Sequence, residues 1–154
     1  MTPPTPRLEL AFSLEAEVGE PLDLGIVRHE RRRIIPILGG TFAGPGIQGR
    51  VLPGGADWQL VHDDGGAVLD ARYTLETDNG ALIYVVNHGL RHGPAEVLRK
   101  LNAGEPVDPD SYYFRSAPVF ETSAAEWAWL MHFLFVGYGE RYPDKVKLHF
   151  FKVL

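Results

Sequence analysis

The sequence predicts an all-β protein, a single antiparallel β-barrel with two short helices. Three observations carry this. About nine to ten segments read as strands and only two as helices. Seventeen glycines and 12 prolines among 154 residues exceed their combined average of roughly 12% and supply many chain reversals. Aromatic residues make up 11%, in keeping with a β-rich core. No linker or repeat divides the chain, so residues 1–154 are expected to form one domain, with 1–6 as a flexible N-terminus. Closure into a barrel removes the exposed edges that an open sheet would leave.

Taken in order, Leu8, Leu10, Phe12, Leu14, Ala16 and Val18 alternate with Glu9, Ala11, Ser13, Glu15 and Glu17. This period of two predicts a strand with one buried face. Leu22–Val27 leads through Arg28–Arg33 into the apolar run Ile34–Leu38, another strand. Four arginines in that junction, in an acidic chain and without interleaved aromatics, read as a solvated strand end and not as a nucleic-acid patch. Gly39–Gly55 is dense in glycine, with Thr41–Phe42 and Ile47–Leu52 as short extended pieces. Within it Gly44–Gly49 spells G-x-G-x-x-G, yet extended residues and Pro53 follow where a dinucleotide site needs a helix.

Ala56–His62 and Ala67–Thr77 read as strands joined by Asp63–Asp64–Gly65–Gly66, and Asp78–Asn79–Gly80 as a tight hairpin turn. Ala81–Asn87 is almost continuously apolar, the mark of a central strand covered on both faces. Pro94 opens a helix over Ala95–Leu101 that Gly104 stops. Ser123–Ala124–Ala125–Glu126 has the capping-box pattern, placing a second helix over Trp127–Met131 with Ser123 as its cap. Tyr112–Glu121, Met131–Val136 and Lys145–Val153 complete the strands.

Composition excludes several chemistries. There is no cysteine, hence no disulfide scaffold, thiolate metal site or cysteine nucleophile. A net charge of −5 disfavours nucleic acid and anionic membrane surfaces. No run approaches the ~18 apolar residues of a membrane span, and the N-terminus lacks the pattern of a signal peptide; a cytoplasmic protein is expected. His88 and His92 stand at i, i+4, but Gly89 and Pro94 read as loop and no third ligand has metal-site spacing, so no metal is expected. Ser13, Ser111, Ser116 and Ser123 lie in no nucleophile motif.

The strand faces carry the remaining information. On Ala67–Thr77 one parity presents Val68, Asp70, Arg72, Thr74 and Glu76, the other Leu69, Ala71, Tyr73 and Leu75. Two readings stay open. Either the second set is buried and the first solvated, or the barrel interior is partly polar and Arg72 points into a cavity. Ala56–His62 poses the same choice between Asp57 with Gln59 and Trp58 with Leu60. Tyr113, Arg115, Ala117, Val119 and Glu121 share a third face. If these faces converge, Asp57, Arg72, Arg115 and Glu121 form a paired set of charges, flanked by the aromatics Trp58, Tyr84, Tyr113 and Trp129.

Gly39–Gly46, Pro53–Trp58, Arg72–Asp78, Tyr113–Arg115, Phe120–Glu121 and Trp129–Leu130, in this order, resemble the domain-of-unknown-function 3237 family, also called uncharacterised protein family 0311. The resemblance runs from about Leu8 to the C-terminus, with Asn79 where a second aspartate is expected. It implies a lipocalin-like or allene-oxide-cyclase-like barrel, and it makes Asp57, Arg72, Arg115, Glu121 and Trp129 the preferred site residues. The expected function is binding of a small apolar or aromatic ligand, its oxyanion held by Arg72 or Arg115, without cofactor. The alternative is cofactor-independent isomerase, cyclase or lyase chemistry with Asp57 or Glu121 moving a proton. A filled structural barrel is the third reading. Met131–Val136 and Phe150–Phe151 could cover a homodimer interface as readily as a core.

Overall fold

A computed structural model describes residues 1–154. Ten strands alternate with little else: β1 (Leu8–Val18), β2 (Leu22–Val27), β3 (Glu30–Gly44), β4 (Ile47–Val51), β5 (Ala56–Val61), β6 (Ala67–Thr77), β7 (Leu82–His92), β8 (Tyr113–Glu121), β9 (Phe135–Arg141) and β10 (Lys145–Val153). One α-helix, α1 (Ala95–Asn102), follows β7, and a 3-10 segment over Ala125–Met131 follows β8. Around the wall the order is β1, β10, β9, β8, β7, β6, then β4 and β5 sharing one position, then β3, which returns to β1. The result is a closed eight-strand antiparallel barrel. No helix is long and apolar enough to cross a membrane.

β3 makes the closure. Its first half pairs with β2 and β5, its second half with β1 and β4. Between them Gly39 and Gly40 take φ of 150° and 147°, a conformation that side-chain-bearing residues avoid. A Cβ on Gly40 would fall on the Glu15 carbonyl oxygen across the seam. The glycine-rich stretch therefore shapes the line along which the barrel closes. Its G-x-G-x-x-G run is the turn between two strands, β3 and β4.

Five sequence expectations change. β1 does not keep one face throughout: a bulge between Leu10 and Phe12 shifts its register with β10. Leu10 then lies opposite the outward Phe151, and Phe12 opposite the fully buried Phe150. β7 runs on to His92, so the two histidines lie on a strand and not in a loop. The outer face of β7 is uncovered, with Leu82 54% and Leu90 56% exposed. Met131–Val136 is not a strand; β9 begins at Phe135, and Trp127–Met131 belongs to the 3-10 segment. Ser123 does not cap that segment. Thr122 Oγ1 accepts the Ala124 amide instead, at 3.1 Å, and Glu126 is held by Asn79 Nδ2 at 2.7 Å.

Inward side chains divide the interior into two ends. At one, Phe12 meets Phe42, Phe120 and Phe150 at ring separations of 5.4, 5.7 and 5.3 Å, with Leu75, Ile83 and Val85 fully buried beside them. Trp127 and Leu130 of the 3-10 segment belong to the same core. Towards the other end the inward positions turn polar: Asn87 and Arg91 on β7, Ser116 on β8, Arg141 on β9, and Asp57 and Gln59 on β5.

Candidate ligand site inside the barrel

The polar end holds a small interior cavity of about 50 Å3, which shares Arg91 and Arg141 with an open cleft of about 630 Å3 at the barrel mouth, a size within the range of small-molecule sites. The walls of the inner cavity are mostly apolar, with Leu14, Ile35, Ile37 and Leu148 among them. Alternation within strands sets the polar groups. Along β7 the inward sequence is Ile83, Val85, Asn87, Gly89, Arg91, so one face passes from core to site as the strand advances.

Asp57 sits on β5 where the ladder to β6 is open: Asp57 pairs with Ala71 and Leu60 with Val68, with no pairing between. The Asp70 amide donates to Asp57 Oδ1 at 2.9 Å, and Gln59 Nε2 donates to Oδ2 at 2.9 Å. Burial nevertheless dominates and pushes the Asp57 carboxyl above the ordinary carboxylate range.

Arg91 is 3% exposed. One nitrogen, Nη2, donates to Asn102 Oδ1 of α1 at 3.1 Å, and Asn102 in turn donates to the Gly65 carbonyl at 3.1 Å. Burial lowers the guanidinium to about 10, still cationic at neutral pH. Arg141 is also buried; it donates to the carbonyls of Tyr142 and Lys145, and burial lowers its pKa too. Both arginines line the open cleft at the barrel mouth with Arg33 and Asn102. None of these three guanidiniums takes part in an ion pair, whereas Arg31, Arg50, Arg72 and Arg99 on the surface all do. Glu20 and Asp144 also line that cleft, while Asp57 is the one carboxylate of the inner cavity, beside Arg91 and Arg141.

Of the candidate site residues expected from the sequence, only Asp57 reaches this cavity. Arg72 is on the outer wall, 3.4 Å from Asp70 Oδ1. Trp58 and Tyr84 are each 36% and Tyr113 43% exposed. Arg115 lies over the Tyr138 ring at 3.9 Å and near Tyr113 at 5.2 Å, also outside. Glu121 is exposed and opposite Tyr84. Trp129 packs 6.2 Å from Phe135, with Lys152 over it at 5.2 Å. The expected convergence of Asp57 with Arg72, Arg115 and Glu121 does not occur, because β6 and β8 turn those positions outward. The ordinary alternation reading of β6, with Leu69, Tyr73 and Leu75 buried, is the one observed. Sequence reasoning missed Arg91 and Arg141. The signal for Arg91 was present: it continues the apolar parity of β7.

One arrangement outside the barrel has the look of hydrolytic chemistry. Ser13 Oγ lies 2.7 Å from His149 Nδ1, and His149 Nε2 lies 2.9 Å from Glu140 Oε2. At Ser13, however, β1 is paired on both edges, with Ala43 and with His149. The local amides belong to the ladders, leaving no donor pair for an oxyanion. This is a cross-strand polar chain.

The model of the family described as "Protein of unknown function (DUF3237)" matches residues 6–153. A UPF0311 protein of Rhodopseudomonas palustris is 47% identical over 98% of this chain and 99% of its own length. The crystal structure of a Rhodopseudomonas palustris protein, 46% identical, superposes with a TM-score of 0.94 over 99% of this chain and 100% of that one. A β-barrel-like protein of Acinetobacter baumannii gives 0.86 at 42% identity, with 99% of both chains covered. At 22% identity, an enzyme from Penicillium herquei shares the fold with a TM-score of 0.74, covering 100% of this chain and 98% of its own. The chain belongs to the DUF3237 (UPF0311) family of β-barrel proteins.

Proposed function

We propose that the barrel binds a small organic anion with an apolar body, its anionic oxygen held by Arg91 and Arg141 and its body against the apolar walls. Arg91 carries this reading. A guanidinium 3% exposed with no carboxylate in ion-pair contact is costly unless a counter-charge arrives, and an anion entering past Arg33 and Arg141 supplies one. The acidic exterior suits a small anion better than a polyanion. No cofactor is needed for this role.

The experiment is a calorimetric titration of benzoate into the wild type and Arg91→Met, with Arg115→Met as an outer-wall control. Loss of a charge-assisted contact of about 1.5–3 kcal/mol weakens benzoate roughly ten- to hundredfold in Arg91→Met and leaves Arg115→Met unchanged. Equal binding by all three proteins overturns the reading.

A second reading is favoured by Asp57. A carboxylate made more basic by burial, in the same cavity as a cation that can hold an enolate oxygen, has the parts of a proton-transfer enzyme. Phenylpyruvate tests this. Asp57 would take the α-proton and return it at the oxygen or the carbon, which accelerates tautomerisation and α-exchange with deuterated water. Exchange no faster than in buffer, or unchanged in Asp57→Asn, excludes it for this probe.

A further inference from the structure

We infer that the anion this cavity takes also carries a hydroxyl or N–H donor: a hydroxy-substituted carboxylate, phenolate or enolate, not a purely apolar acid. The inference rests on the anion-binding reading of the same site and adds a second, independent demand on the ligand.

Five buried polar atoms without a hydrogen-bond partner face this one cavity: Gln59 Oε1, Tyr73 Oη, Asn87 Oδ1, Arg91 Nε and Ser116 Oγ. Their residues are between 2% and 8% exposed. Folded proteins leave only a few such groups per hundred residues, so five around one space form a pattern and not background. Four come from the consecutive neighbouring strands β5, β6, β7 and β8, and Arg91 stands at the mouth end of β7.

Their chemistry is mixed, and that decides the ligand class. Arg91 Nε can only donate, which asks for an acceptor such as an anionic oxygen. Gln59 Oε1 can only accept. Its sense is fixed because the other end of the amide donates to Asp57 Oδ2 at 2.9 Å, an acceptor that the oxygen could not approach. Tyr73 and Ser116 carry hydroxyls that serve either way. An unsubstituted acid satisfies Arg91 and leaves Gln59 Oε1 unpaired; a hydroxylated one satisfies both. Sites with buried acceptors discriminate strongly against analogues that lack the matching donor.

The test compares benzoate, 3-hydroxybenzoate, 4-hydroxybenzoate and the neutral diol resorcinol by calorimetry on the wild type, Asn87→Leu and Ser116→Ala, with a thermal melt to show that each variant folds. Two hydroxybenzoates are used so that one presents its hydroxyl within reach. The expected result is that at least one binds wild type tenfold or more tightly than benzoate, and that this ratio shrinks severalfold in one or both variants. Benzoate binding as tightly as both hydroxybenzoates overturns the inference and leaves the anion reading standing. Resorcinol binding while benzoate does not overturns the anion reading and retains the donor requirement. No binding by any probe at millimolar concentration overturns both.

Discussion

Gln59 donates its side-chain amide to the Asp57 carboxylate at 2.9 Å, two residues along β5 and on the same inward face. That bond and the one from the Asp70 amide hold a carboxylate in the interior without an ion pair. Burial still outweighs them, and the carboxyl is more basic than in the unfolded chain.

The sign of the resulting pH dependence follows. A raised folded-state pKa means that the folded protein holds this proton more tightly, so the group's stabilising contribution is full below its unfolded pKa and is lost as pH rises through its folded pKa. The melting temperature of the wild type minus that of Asp57→Asn therefore falls across the window just above the ordinary carboxylate range and is flat on either side. A difference independent of pH would show that Asp57 is no more basic than a free carboxylate.

Neutralising the same residue also changes binding. Asp57 is the one carboxylate lining the cavity, and it opposes an incoming anion. Asp57→Asn should bind benzoate severalfold more tightly than wild type at neutral pH, by calorimetry. Weaker binding would mean that the carboxylate positions the arginines more than it repels the ligand.

Tyr73→Phe and Ser116→Ala each remove a hydroxyl that has no partner in the fold. An unsatisfied buried polar group costs about 1–3 kcal/mol, so both variants should match or exceed the stability of the wild type in urea unfolding. A loss above about 1 kcal/mol in either would show that its hydroxyl is bonded in the free protein.

The filled end of the barrel behaves in the opposite way. Phe12 is fully buried among three aromatic rings, and Phe12→Ala should cost about 3–5 kcal/mol, measured by urea denaturation. A cost below about 1 kcal/mol would mean that this end collapses freely and is not the packed core.

Much of the fold was readable because it depends on local pattern. The period of two in β1 and β6, the Asn79–Gly80 turn and the Pro94–Gly104 bounds of α1 all express short-range chemistry. The β1 bulge was not readable: it exists because Phe12 must meet Phe150 across the barrel while Leu10 stays with Phe151, a tertiary requirement. Ser123 failed as a cap because Thr122 and Asn79 reach the same segment from neighbouring strands. The site was legible in kind and not in place. A polar interior with arginine and carboxylate was among the sequence readings, and Asp57 belongs to it. Arg72 and Arg115 drew attention through the family resemblance, yet both are exterior. Arg91 drew no attention, because Gly89 and Pro94 made His88–His92 read as a loop where β7 in fact continues.

The most direct test of an interior anion site reads the arginines themselves. In a 15N–1H correlation spectrum of the arginine Nε–H groups, assigned with Arg91→Met, Arg72→Met and Arg115→Met, 3-hydroxybenzoate is titrated to saturation. The Arg91 Nε resonance is expected to move with the binding isotherm while those of Arg72 and Arg115 stay in place. Movement confined to Arg72 or Arg115, with Arg91 unmoved, would contradict an interior anion site and return the ligand to the outer wall.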